Sequence, residues 1–127
     1  MNKLFVLFFP LFLFAAIVKF PYTVKLKKDQ FADFVVYRRL KKTEFKFRWT
    51  LYVNDTLTVF STYDGFTNQY TLFKTPTMNL FRVTLEDFPE PRPYFLIQFV
   101  NFNGKIAVFK IFLFNGKNIR VELKGRK

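Results

Sequence analysis

Residues 44–53, EFKFRWTLYV, alternate apolar and polar side chains with a period of two. Phe45, Phe47, Trp49, Leu51 and Val53 share one face, and Glu44, Lys46, Arg48, Thr50 and Tyr52 share the other. A helix would repeat its apolar positions every three or four residues, so this spacing specifies a half-buried β-strand. The same rule predicts further strands over residues 17–27, 31–40, 56–63, 66–74, 80–86, 94–102, 105–114 and 118–124. In the segment 31–40, Phe31, Phe34, Val35 and Arg38 also fit a helical spacing, but the run Val35-Val36-Tyr37 decides for strand.

Turn chemistry agrees with the strand reading. Asn54-Asp55, Asp64-Gly65, Asn103-Gly104 and Asn115-Gly116 each sit between β-branched or aromatic runs, supply residues that tolerate positive φ, and predict a meander of hairpins. In FPEPRP, residues 88–93, Pro89, Pro91 and Pro93 remove three backbone donors, which predicts an extended connection crossing between two sheets. The fold class expected is all-β: an antiparallel β-sandwich of about eight or nine strands, with a small meander barrel as the other way to close the same strands. Segments 94–102 and 105–114 are apolar on both faces, which edge strands are not: such strands are central in a sandwich, or they carry an exposed aromatic binding surface that would leave Phe112 and Phe114 accessible.

The first residues are read apart from the fold. Lys3 precedes an unbroken apolar run from Leu4 to Val18, 15 residues with Pro10 in the middle. A membrane-crossing helix needs about 20 residues, whereas a signal peptide has this anatomy. Residues 1–15 are therefore expected to be a signal peptide cut after Ala15, with a cut after Ala16 or a retained anchor as the alternatives. Residues 16–127 are expected to form a single all-β domain of net charge +11. The export route leads to the periplasm, with the outer membrane or an inner-membrane anchor as the other destinations.

Composition limits the chemistry. The chain has no Cys and no His, which excludes a disulfide framework, a thiolate metal site and the usual neutral-pH general base. A domain of this size can hold itself by apolar burial without disulfides. Ser61 is the only serine and lacks a histidine to activate it, and Glu86, Asp87 and Glu90 read as a polar loop beside the prolines. No enzyme activity, cofactor or metal ion is expected.

Charge is the main functional signal. The net charge is +12, distributed as +8 over residues 1–48, −2 over residues 49–104 and +6 over residues 105–127. First and last strands of an antiparallel sandwich are often neighbours, so the basic ends are expected to share one anion-binding face. That face would comprise Lys25, Lys27, Arg38, Arg39, Lys41, Lys42, Lys46, Arg48, Arg120 and Lys124. The function expected is an exported accessory or binding protein. Its partners would be anionic lipid at a membrane surface, lipopolysaccharide, an acidic glycan or an acidic protein, since export argues against nucleic acid. The alternatives are a small outer-membrane barrel and a lipocalin-like carrier holding an apolar ligand among Phe45, Phe47, Phe95 and Phe99. Oligomeric state is left open, although unpaired strand edges allow association edge to edge.

Overall fold

The computed structural model describes residues 16–126, and the expected leader, residues 1–15, lies outside them. The described residues form ten strands: β1 (Ala16–Ile17), β2 (Tyr22–Lys27), β3 (Ala32–Arg38), β4 (Lys41–Val53), β5 (Thr56–Tyr63), β6 (Phe66–Phe73), β7 (Leu80–Thr84), β8 (Tyr94–Phe102), β9 (Ile106–Phe114) and β10 (Ile119–Arg126). Six make one antiparallel sheet in the order β1-β10-β3-β4-β5-β6, and four make a second in the order β2-β9-β8-β7. The sheets stack as a sandwich and do not close into the meander barrel. As expected, β8 and β9 are interior strands of their sheet, and β10 joins the two ends of the chain by lying between β1 and β3.

Four connections differ from the expected ones. The predicted strand 17–27 is two strands in different sheets, because Pro21 cannot donate to a ladder and the chain changes layer there. The proline segment does not cross between sheets; it joins β7 to β8, which are neighbours in the four-stranded sheet. The crossing occurs earlier, between β6 and β7, where Phe73 N–H donates to Met78 O at 3.0 Å. Asn115-Gly116 likewise passes from one sheet to the other and makes no hairpin, with Asn115 at φ 57° and Gly116 so close to Leu113 that a Cβ would collide with it. A hairpin the dipeptide pattern did not mark turns at Arg39-Leu40, where Arg39 adopts φ 51°.

The core is aromatic. Phe34, Phe45, Phe47, Phe95, Phe99 and Phe109 are fully buried, and burial of such a ring contributes about 2–3 kcal/mol. Rings from opposite sheets meet directly: Phe45 lies 4.9 Å from Phe95, and Phe47 lies 5.2 Å from Phe109. The residues that would line a lipocalin-like cup therefore pack on one another.

A β-bulge in β4 between Trp49 and Leu51 reverses the alternation that the sequence suggested. Leu51 and Val53 become exposed, and Tyr52 turns inward. β8 carries a matching bulge between Phe99 and Asn101, which turns Phe102 inward and leaves Val100 exposed. Tyr52 and Phe102 then stack at 4.1 Å and close that end of the core. Trp49 packs edge-on to Phe102 at 5.3 Å and donates its indole N–H to Leu26 O at 2.8 Å, tying β4 to the opposite sheet. Trp49→Ala is expected to cost about 3–5 kcal/mol, read from urea unfolding followed by circular dichroism. A change under about 1 kcal/mol would contradict this packing.

Candidate functional site: two cationic faces and a cleft

Because alternate residues of each strand point to opposite sides, the core fixes what each outer face presents. On the six-stranded sheet, the outer face carries Lys42, Lys46 and Arg48 from β4 and Arg120 and Lys124 from β10. Acidic side chains lie among them. Lys124 Nζ is 3.0 Å from Glu44 Oε2, Arg120 Nε is 3.4 Å from Glu122 Oε2, and Arg48 is 3.5 Å from Asp29. Lys46 and Arg48 also flank the Phe31 ring, at 5.0 and 5.1 Å.

Asp33 lies under this network, almost fully buried, with Oδ1 unpartnered. Burial, and then the adjacent Glu44, push its pKa above the ordinary 3.8. Glu44 is held low, chiefly by its hydrogen bond from Lys124.

The expected single patch is divided. Lys46, Arg48, Arg120 and Lys124 do converge on one face, but Lys25 and Lys27 lie on β2, in the other sheet, and face the opposite side of the sandwich. Arg39, Lys41 and Lys42 cap one end at the β3–β4 hairpin. Arg38 is half-buried and does not join that face: its guanidinium donates to Leu85 O and Thr43 Oγ1, both at 2.8 Å.

Arg38 forms one wall of a cleft of about 330 Å³ on the side where β6 and β7 border the sandwich, together with Ser61, Tyr63, Asn68, Tyr70, Arg82, Glu86 and Asp87. Tyr63 donates to the same Leu85 O at 2.9 Å, and burial pushes its phenol up to about 12. Arg38 and Tyr63 thus act as braces holding the segment that follows β7 to the six-stranded sheet. Glu90 of the expected polar loop pairs with Arg92 at 2.8 Å.

The outer face of the four-stranded sheet is different in kind. Tyr94 and Leu96 of β8 pair with Phe114 and Phe112 of β9, and Ile106 and Val108 continue the apolar surface. Tyr94 and Phe114 stack at 5.1 Å, and Phe114 remains 40% exposed. Four cations stand in and around this surface: Lys25 and Lys27 on the β2 edge, Lys110 in the middle of β9, and Arg82 on the β7 edge with its guanidinium 3.7 Å above the Tyr94 ring. None of β2, β7, β8 or β9 contains an Asp or Glu. Among the described residues, no ion pair involves any of the four cations.

Lys110 and Arg82 escaped the sequence reading because each is one charge inside an apolar run. The signal available was that Phe112 and Phe114 had no covering layer assigned to them. No protein-family model, curated protein or solved structure matches the chain.

The Asp33 network has a consequence for stability. A carboxyl whose pKa is raised on folding stabilises below its ordinary pKa and loses that contribution as pH rises through the raised value. Ionised Asp33 is therefore a cost at neutral pH. Asp33→Asn, which removes the buried charge and offers Glu44 an N–H donor, is expected to stabilise the protein at pH 7 by on the order of 1 kcal/mol. The gain should vanish below the ordinary 3.8, and urea unfolding across pH checks both the sign and the window.

Proposed function

We propose that the chain is an exported, non-catalytic binding module that docks on an anionic lipid surface through the outer face of its four-stranded sheet. The observation that carries this reading is the combination on that face: a half-buried aromatic and aliphatic centre over which no further strand lies among the described residues, four cations free of ion pairs among the described residues, and no acidic residue on any of the four strands. Apolar surface left uncovered and rimmed by charge marks an interaction site. Aromatic rings suit the interface between headgroups and acyl chains, and lysines beside them are attracted to headgroup phosphates. Lys25 and Lys27 can keep their ammonium groups in the headgroup layer while their stems lie along the apolar surface.

The opposite face is a weaker candidate, since three of its cations already meet carboxylates and exposed pairs of that kind leave little field to spend on a ligand. The apolar leader and the lack of His and Cys support the exported and non-catalytic parts of the reading.

Sedimentation with vesicles tests it. The protein should bind vesicles rich in phosphatidylglycerol, bind phosphatidylcholine vesicles weakly, and be released at about 0.5 M salt, where exposed charges are screened. Lys110→Glu should weaken binding at least about fivefold, from roughly 1 kcal/mol per basic residue at such a surface. Phe114→Ser should weaken it further, and Lys46→Glu, on the other face, should leave it unchanged. Equal loss from Lys46→Glu, or binding to an acidic polysaccharide that ignores Phe114→Ser, would overturn the lipid assignment.

A further inference from the structure

A sandwich of two open sheets has four edges, and three of these are blunted in ways that discourage pairing. β1 is two residues long among the described residues, β2 carries Lys25 and Lys27, and β7 is five residues long and carries Arg82. The fourth edge, β6, has none of these devices. Its sequence FTNQYTLF has eight residues with no charge and no proline, and it pairs with β5 throughout without a bulge. We infer that the protein self-associates through β6, two copies joining antiparallel about a two-fold axis at Gln69.

The free hydrogen-bonding groups on this edge can be assigned. The turn Asp64-Gly65 makes Tyr63 and Phe66 the closing pair of a two-residue hairpin. That pair is hydrogen-bonded, so alternation directs the N–H and C=O of Thr67, Gln69 and Thr71 away from β5. The bond from Phe73 N–H to Met78 O is consistent with this phase and ends the free stretch. Thr67, Gln69 and Thr71 are all exposed.

These three residues match a second copy of themselves in one register. With Gln69 opposite the partner copy's Gln69, Thr67 of each copy faces Thr71 of the other. Three hydrogen-bonded pairs then supply six main-chain bonds. The same register sets the acidic start of each β6, Asp64, opposite the basic end, Lys74, of the other. It also sets Phe66, 76% exposed in the single chain, across from Leu72. A slip of two residues loses the Asp64–Lys74 alignment at both ends. A chain of net charge +12 gains most from pairing where its own sequence is neutral. The association leaves the outer face of the four-stranded sheet uncovered, and it stands whether or not that face binds lipid.

The absence of cysteine makes the register directly readable. Facing residues in a hydrogen-bonded antiparallel pair have Cα atoms about 5.5 Å apart, within the range a disulfide spans. In lipid-free solution, Gln69→Cys should cross-link to a covalent dimer on mild oxidation. Thr67→Cys or Thr71→Cys alone should give no disulfide-linked dimer, and their mixture should cross-link. Without substitution, sedimentation should report a dimer at about 100 µM that dissociates near 1 µM, as a small interface allows. Gln69→Lys, which sets two like charges together at the axis, should shift dissociation to at least about tenfold higher concentration without changing the circular dichroism spectrum. A monomer at all concentrations, a dimer indifferent to Gln69→Lys, or Thr67→Cys linking to itself as readily as Gln69→Cys would overturn the proposal.

Discussion

The rings of Phe45 and Phe95 meet at 4.9 Å and those of Phe47 and Phe109 at 5.2 Å, and at these contacts the two sheets hold each other. Phe45 and Phe47 are two residues apart on β4, so seating both fixes which side of that strand is inside. β3 and β5 pair with β4, and their inward sets, Phe34 with Val36 and Leu57 with Val59, follow from it. The positions of Lys46 and Arg48 are consequences of the same choice, since a residue between two core rings has only the outer face left. On the other sheet Phe109 and Ile111 point inward and Lys110, between them, is committed outward, with Gln98 and Thr23 across from it and Phe112 next along its own strand.

Cations of one charge therefore sit in two unlike settings. On the six-stranded sheet the strands that bring arginine and lysine also bring Glu44, Glu122 and Asp33, and the charges are spent on one another. On the four-stranded sheet the strands contribute lysine and arginine beside phenylalanine, and nothing on those strands balances them. The difference lies in which strands become neighbours, a property of the topology.

That is also where the sequence was legible and where it was not. Alternation over residues 44–49 identified the core face of β4 correctly because every residue there has its ladder partner. It failed at Leu51 and Val53 because the extra residue of a bulge changes the phase without changing the composition. Turn residues marked the tight hairpins at Asn54-Asp55 and Asp64-Gly65, where two positive φ values are required in succession. The same chemistry at Asn115-Gly116 marked a bend and could not say that the bend leaves the sheet. Lys25 and Lys27 were read correctly as outward, but which sheet they belong to is decided by Pro21, where the chain changes layer. The prolines at residues 89–93 removed donors as expected, and the strands they join still pair, because β7 and β8 meet through residues outside that segment.

The place of β10 has a consequence for how the chain is made. The last strand lies between β1 and β3, with Val18 N–H bonded to Val121 O at 2.9 Å, so the opening residues have no strand to join until the closing ones exist. A growing chain can zip the local hairpins β3 to β6 as they emerge, but it carries an unfilled slot beside β3 until residues 119–126 have been made. Contacts spanning about a hundred residues are slow to find. β10 is thus the piece that completes the six-stranded sheet, and neither β1 nor β3 has its full set of partners before it arrives.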